Sequence, residues 1–198
     1  MNDLKKIINN AKFKNVMSWV MTFVVALVLA LFINTFIVRV SQVEGKSMEQ
    51  TYFGGNTVFV SRLPYLFGAN PKHGDIVVLD SKTKLERNIL TDVKDSFKYN
   101  LVSKKLFNIT TDKFWIKRVI GVAGDKIEFK NGSVYRNDVL LEETYVNSAE
   151  VPVYQNNIYT IEKGYIFVMG DNRNHSEDSR RSLGMVPIDH IIGKALGK

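Results

Sequence analysis

A serine in a glycine-containing turn is the first residue of this sequence that could act as a nucleophile. Ser47 lies in the stretch Glu44–Met48, nine residues beyond Val38, where a long apolar run ends. An extended chain covers at most ~3.6 Å per residue, so Ser47 lies within roughly 30 Å of that run. Gly45 can adopt backbone angles that are closed to other residues. The residues alone leave two interpretations open: a nucleophile held on a tight bend, or a serine that merely completes a turn.

A serine hydroxyl is a poor nucleophile until a neighbouring base accepts its proton, and Lys117 is the candidate base. In the segment Phe114–Ile120, strand alternation puts Lys117 on one face with Trp115 and Val119. Apolar neighbours disfavour the charged amine and so lower the pKa of a lysine toward neutral pH. Arg118 also has apolar neighbours on its own face, so alternation does not choose between the two cations. An ion-paired or snorkelling lysine is the alternative.

Composition limits the other chemistries. The chain has no cysteine, which excludes disulfides, thiolate catalysis and cysteine-ligated zinc. Its three histidines, any of which could also serve as a base, lack the short spacing of a metal-binding helix: His73, His175 and His190. We therefore expect no metal and no cofactor. The net charge of +7 comes from scattered lysines, which argues against a nucleic-acid partner.

A dense polar stretch at residues 170–180 follows directly after an apolar strand, a place where functional sites often lie. The hydroxyl of Ser176 could orient a lysine amine. Two bidentate ion pairs are predicted to stiffen the stretch: Asp171 with Arg173, and Asp178 with Arg180. An ordinary solvated loop is the alternative.

The N-terminal part of the chain predicts a membrane span. Residues 16–38 form a run of 23 residues without charge, which as a helix would cover about 35 Å, enough for a bilayer core of ~30 Å. The run is too long for a typical cleavable signal, and a buried helix of a soluble protein is the alternative. The lysine-rich residues 1–15 should stay in the cytoplasm, which puts residues 39–198 outside.

The exterior part is predicted to be mainly β. Apolar, β-branched runs indicate strands at 57–60, 76–79, 114–120, 127–129, 134–135, 158–161 and 165–169. Asn131-Gly132 predicts a hairpin turn. The apolar loop Pro64–Phe67 would either dip into lipid or tuck against the core. Residues 83–103 have apolar side chains every four residues and a capping-box pattern at Thr83-x-x-Glu86, which predicts an inserted amphipathic helix.

Four blocks in a fixed order resemble the motifs of type I signal peptidases, of the short single-span kind found in Gram-positive bacteria. They are residues 45–48 after the anchor, 74–78, 117–125 and 170–180, with Gly184 beyond the last. The resemblance covers most of the exterior part. It implies a β-fold catalytic domain and a membrane-anchored endopeptidase that removes signal peptides from exported proteins.

The resemblance also implies roles for individual residues. Ser47 would be the nucleophile and Lys117 the general base, with the N–H of Ser47 as one oxyanion donor. Ser176 would hydrogen-bond the base. The residues implied to support the dyad or the oxyanion are Gly45, Met48, Ser176, Asp178 and Arg180. The implied partners are preprotein signal peptides and the lipid bilayer, with the protein-export machinery as a candidate.

Two departures from the family pattern leave room for other functions. Gly45 stands where some relatives have a serine that helps to bind the oxyanion, and Gln50 stands where many have a proline. One rival is a catalytically silent relative that assists the assembly of pili or other surface structures. A second rival is a self-cleaving repressor, which has no use for a membrane span. A peptidase devoted to a few substrates such as pilins is a variant of the leading hypothesis.

Overall fold

A computed structural model describes residues 11–83, 88–99, 114–146, 152 and 154–197 of the chain. Eleven strands and three α-helices lie in these residues. The helices are α1 (Ala11–Phe32), α2 (Leu63–Leu66) and α3 (Ile89–Lys98), and a π-helix (Ile33–Ile37) follows α1. The strands are β1 (Val38–Gln42), β2 (Thr57–Ser61), β3 (Ile76–Asp80), β4 (Phe114–Val122), β5 (Lys126–Lys130), β6 (Ser133–Arg136), β7 (Val139–Leu140), β8 (Ile158–Thr160), β9 (Tyr165–Met169), β10 (Val186–Pro187) and β11 (Ile191–Leu196).

The strands form two antiparallel sheets. The larger has the order β1-β2-β11-β3-β4-β9-β10, and the smaller has the order β7-β6-β5-β8. The prediction of a mainly β fold is therefore confirmed. The predicted hairpin joins β5 to β6, and its turn residues Asn131 and Gly132 have φ of 51° and 73°. Positive φ at both positions is what favours asparagine and glycine in such turns.

Three apolar clusters hold the sheets together. One contains Met48 together with side chains from β2, β3, β4 and β11, and a second packs on the opposite face of β3 and β4. The third joins the two sheets through Ile127, Phe129 and Phe167. Since strand side chains alternate between faces, β4 contributes to all three clusters and carries both candidate cations between them.

The apolar helix α1 is not buried against the sheets. Its stretch Phe13–Phe32 is long and apolar enough to cross a membrane by length and composition, and none of it is buried. The alternative of a buried soluble helix is therefore wrong. The π-helix ends at Ile37 and β1 begins at Val38, so the last residue of the predicted span belongs to a strand.

The predicted helix at 83–103 is wrong in its extent. Helix α3 covers only Ile89–Lys98, and residues 84–87 and 100–103 of the prediction lie outside the described residues. Asn88 caps α3, since its side-chain oxygen accepts a hydrogen bond from the Thr91 N–H at 2.9 Å. Thr83 of the predicted capping box therefore does not cap this helix. An asparagine N-cap satisfies the same orphan N–H group.

The loop Pro64–Phe67 is partly packed against the core and partly exposed, and its contact with lipid stays a prediction. Its first residues form the short helix α2, whose Tyr65 packs against the second apolar cluster. Phe67, directly after the helix, is 84% exposed.

Candidate active site

The stretch around Ser47 forms the tight bend that its glycine predicts. Gly45 has a φ of +80°, and a Cβ atom there would meet nothing within 4 Å, so glycine is needed for conformation and not for space. A turn runs from Ser47 to Thr51. Met48 is fully buried in the first apolar cluster, and its carbonyl accepts the N–H groups of Thr51 and Tyr52 at 3.0 and 2.8 Å. The side chain next to Ser47 therefore anchors the turn in the core.

The same turn explains why glutamine replaces the expected proline. Gln50 has a φ of +85°. Proline is fixed near −65°, so it cannot occupy this position in the turn that the chain adopts. The turn that this chain adopts therefore excludes a proline at this position.

Lys117 points to the Ser47 hydroxyl. Its Nζ lies 2.6 Å from Ser47 Oγ, at hydrogen-bond distance, and only 3% of the residue is exposed. The Trp115 ring centroid is 5.5 Å from Nζ. Burial lowers the pKa of Lys117 to about 8, and the partly opposing attraction of Asp178 does not cancel this effect. A large share of this lysine is therefore neutral at mildly alkaline pH and able to accept a proton.

The loop after β9 packs against the main chain of Ser47. The Asn172 N–H donates to the Ser47 carbonyl at 3.0 Å. Gly170 packs so closely that an added Cβ would lie 2.4 Å from this carbonyl oxygen and 2.3 Å from Ser176 Oγ. The Ser176 hydroxyl is buried, and it lies close enough to Asp178 to help lower the pKa of that carboxylate. It lies beside the dyad, and its bond to the base stays a prediction.

One of the two predicted ion pairs is present. Arg180 binds Asp178 through Nε and Nη2 at 2.8 and 2.7 Å. Burial alone would raise the pKa of Asp178, but the bonds from Arg180 and from the Gly170 N–H lower it. Asp178 therefore remains a carboxylate in a fully buried position.

The predicted pairing of Asp171 with Arg173 is wrong. Asp171 accepts two hydrogen bonds from Arg118, at 2.8 and 2.7 Å, and one from the Thr51 hydroxyl at 2.5 Å. Arg173 instead binds Glu143 through both terminal nitrogens, at 2.5 and 2.6 Å. Both arginines pair with carboxylates from distant parts of the chain because β4, β9 and the loop are neighbours only in the folded sheet.

These contacts give Arg118 and Asp171 a structural role that the sequence did not predict. Arg118 and Asp171 tie the end of the Ser47 turn, through Thr51, to the loop that holds the Ser47 carbonyl. The only sequence signal was the placement of Arg118 beside Lys117 on the opposite strand face. The network makes the position of Ser47 depend on a buried ion pair.

A cleft of about 280 Å³ opens at the Lys117–Ser47 pair. Its walls include the apolar side chains of Val43, Val58, Val78, Phe114, Trp115 and Ile116. Two carboxylates, Glu44 and Glu177, also line it. Among the described residues, no group of three or more His, Cys, Asp or Glu side chains is placed to hold a metal ion. The arrangement can activate a serine hydroxyl beside an apolar groove.

Comparison with known proteins assigns the chain to a family. The family described as signal peptidase, peptidase S26, matches residues 16–197. A signal peptidase I P of Bacillus subtilis subsp. natto is 30% identical over 190 residues, which are 92% of this chain and 87% of the relative. A signal peptidase IB of Staphylococcus aureus (strain COL) is 29% identical over 197 residues, which are 91% and 87% of the two chains.

A solved structure of a signal peptidase I from Enterococcus faecalis V583 aligns with 65% of this chain and 97% of that chain. The identity is 25% and the TM-score is 0.43. Since the family match extends over nearly the whole chain, including both Ser47 and Lys117, this protein belongs to the signal peptidase family, peptidase S26.

Proposed function

We propose that this chain is a membrane-anchored serine endopeptidase that removes N-terminal signal peptides from exported preproteins, with Ser47 as nucleophile and Lys117 as general base. The observation that carries the proposal is the distance of 2.6 Å between Lys117 Nζ and Ser47 Oγ, at a lysine whose burial lowers its pKa to about 8. A nucleophile and a base within hydrogen-bond reach are the minimum for serine catalysis.

The reaction would proceed through an acyl-enzyme. Neutral Lys117 takes the proton of the Ser47 hydroxyl as Oγ attacks the carbonyl carbon at the end of the signal peptide. The Ser47 N–H makes no hydrogen bond to the described residues, so it is available to the oxyanion of the tetrahedral intermediate. Gly45 has no side chain that could add a second donor. The lysine then gives its proton to the amine of the departing mature protein.

Deacylation uses the same base. Water enters the cleft, Lys117 accepts one of its protons, and the hydroxide attacks the ester carbonyl. The intermediate collapses, Ser47 recovers its proton from the lysine, and the signal peptide leaves with a free carboxylate. In this mechanism Ser176 holds the amine in place, while Asp178 and Arg180 fix the loop behind it.

The cleft suits an extended peptide. A substrate strand alternates its side chains, so the first and third residues before the cut point to the same side. Apolar walls that include Trp115 and Ile116 favour small, uncharged side chains at those two positions. A peptide series that replaces alanine with leucine or lysine should lose cleavage at the first and third positions and retain it at the second. Efficient cutting after lysine contradicts this assignment.

The anchoring and orientation are part of the proposal. The apolar stretch Phe13–Phe32 would span the membrane, with the lysine-rich tail in the cytoplasm and the catalytic domain outside. Because the chain lacks cysteine, Val139→Cys on the exposed strand β7 and Asp3→Cys in the tail can each be labelled selectively. A membrane-impermeant maleimide added to wall-stripped cells should label the first variant only. Labelling of Asp3→Cys alone would show that the orientation is the opposite of the proposed one.

Cleavage of a preprotein tests the activity itself. The full chain in detergent should make a single cut after the signal segment. Ser47→Ala and Lys117→Ala should each lower the rate at least about a thousandfold, and the double variant should be scarcely slower, because the two residues act as one unit. Ser133→Ala and Lys194→Ala, which lie away from the cleft, serve as matched controls. A folded wild-type chain that binds the preprotein without cutting it would favour the assembly-factor alternative.

A further inference from the structure

Two short helices lie beside the end of the apolar helix. Both α2 and α3 contact the π-helix Ile33–Ile37, which joins α1 to the first strand. On one side, the Arg62 N–H at the start of α2 donates to the Ile37 carbonyl at 3.0 Å. On the other side, Arg39 donates from Nη2 to the carbonyl of Tyr99, the C-cap residue of α3, at 2.7 Å. The positions of both helices are therefore tied to the point where the proposed span leaves the bilayer.

One large apolar side chain is exposed on α3, and another is exposed directly after α2. Leu90 on α3 is 71% exposed, and Phe67 directly after α2 is 84% exposed. A single exposed apolar residue is ordinary on a protein surface. Here Leu90 lies on α3 and Phe67 directly follows α2, and both helices contact the π-helix Ile33–Ile37. We therefore look for one role that both exposed side chains share.

The exposed face of α3 also carries positive charge. Lys94 and Lys98 are exposed and follow Leu90 at intervals of four residues, which places all three on one side of the helix. Asp95 of the same helix is buried and so does not offset their charge at the surface. An apolar side chain with lysines on the same helix face matches the boundary between acyl chains and anionic headgroups.

We infer that α2 and α3 form a membrane-contact collar, defined by Phe67, Leu90, Lys94 and Lys98, which seats the peptidase domain on the outer surface of the bilayer. Phe67 and Leu90 enter the boundary between headgroups and acyl chains, and the two lysines bind anionic lipid headgroups. The collar rests on the proposed membrane anchoring. It fixes the height of Ser47 above the bilayer, since only β1 and a short loop separate the π-helix from the nucleophile.

The absence of cysteine allows a depth measurement on the intact chain. The full-length protein carries a single spin label at Leu90→Cys or Phe67→Cys and is placed in lipid nanodiscs. The discs contain phosphatidylcholine alone or a mixture with phosphatidylglycerol. Two matched control positions are also highly exposed: Phe23→Cys at 69%, in the middle of the proposed span, and Val139→Cys at 66%, on the smaller sheet. The readout is the accessibility of the label to oxygen relative to a water-soluble nickel complex.

In mixed lipid, the ratio of oxygen accessibility to nickel accessibility should be about fivefold or more higher for the labels at Leu90 and Phe67 than for the label at Val139. Oxygen concentrates in the apolar layer, whereas the nickel complex stays in water. Insertion at Leu90 should be deeper with phosphatidylglycerol than without it. The double substitution Lys94→Gln/Lys98→Gln should remove this lipid dependence while leaving the label at Phe23 unchanged, because each lysine near the surface adds to the attraction.

The controls separate failure of the collar from failure of the anchor. If the Phe23 label lies in lipid while the labels at Leu90 and Phe67 lie in water in both kinds of disc, the collar is refuted and the anchor stands. If the Phe23 label also lies in water, anchor and collar fall together. A Leu90 label that is protected in native membranes but exposed in pure lipid would identify a protein partner and would equally refute the lipid collar.

Discussion

The pH dependence of cleavage should follow the titration of Lys117. A lysine acts as a base only in its neutral form, so kcat/KM should rise with pH as the amine loses its proton. Burial, which is the main cause, lowers the pKa of Lys117 from 10.5 to about 8, against the attraction of Asp178. The neutral form is then accessible at pH values where the protein remains folded.

The expected curve follows from that pKa. With a pKa of about 8, roughly one lysine in ten is neutral at pH 7, half at pH 8 and about nine in ten at pH 9. The value of kcat/KM should therefore rise about tenfold from pH 7 to pH 9 and then level off. A lysine at its ordinary pKa would instead give a rise of about tenfold per pH unit that continues to about pH 10.

The assay measures kcat/KM for one preprotein-derived peptide between pH 6 and pH 10, with the full chain in detergent. His175→Gln is the matched control, because this histidine also lines the cleft and is the competing base there. The control should keep both the rate and the curve. A plateau already reached near pH 7.5, together with its loss in His175→Gln, would point to a histidine, which ordinarily titrates near ~6.5, and would refute the role of Lys117.

Three further outcomes follow from the same contacts. Gly170→Ala should lower kcat/KM at least about 100-fold by pushing against the Ser47 carbonyl, whereas Gly54→Ala, whose Cβ would lie 3.7 Å from its nearest atom, should be near wild type in the peptide assay. Gln50→Pro should lower the free energy of unfolding by more than about 1 kcal/mol in a thermal melt, whereas Gln50→Gly should not lower it, since only glycine accepts the positive φ without strain. The pKa of Lys117 is lower in the folded state than in the unfolded chain, so the free energy of unfolding of the wild type relative to Lys117→Met should rise by about 3 kcal/mol between pH 8 and pH 10.5. An equal pH dependence of the two proteins in a melt series over this range would contradict the buried amine.

The elements that the sequence predicts correctly are those set by the preferences of a few adjacent residues. The hairpin at Asn131-Gly132 depends on the backbone preference of two adjacent residues, and strands β2, β3 and β4 are short runs of β-branched side chains. Strand β11 has no such signal, because Gly193 interrupts it and lysine follows. It nevertheless lies between β2 and β3, where a Cβ on Gly193 would come within 2.6 Å of the Ser61 carbonyl. Close approach of two backbones is a property of the folded sheet and leaves no pattern in a single strand.

The length of α3 shows the opposite error. Apolar residues continue every four positions across 83–103, yet among the described residues the helix begins after Asn88 and ends before Tyr99. Periodicity indicates which face of a helix would be apolar, but the boundary is set where a side chain satisfies the first free N–H groups. Asn88 does so here by accepting from Thr91. A polar residue inside an apolar repeat was therefore the better indicator of where the helix begins.

The low pKa of Lys117 depends on carboxylates that are distant in sequence. Asp171 binds Arg118 and Asp178 binds Arg180, so each of these two buried carboxylates near Lys117 already has a guanidinium partner. Lys117 is left without an ion pair among the described residues, and burial then dominates its pKa. Lys117, and not Arg118, also reaches the Ser47 hydroxyl, while Arg118 is held by Asp171 and Thr51. A guanidinium would not give up its proton at that position in any case, so only the lysine can act as a base beside Ser47.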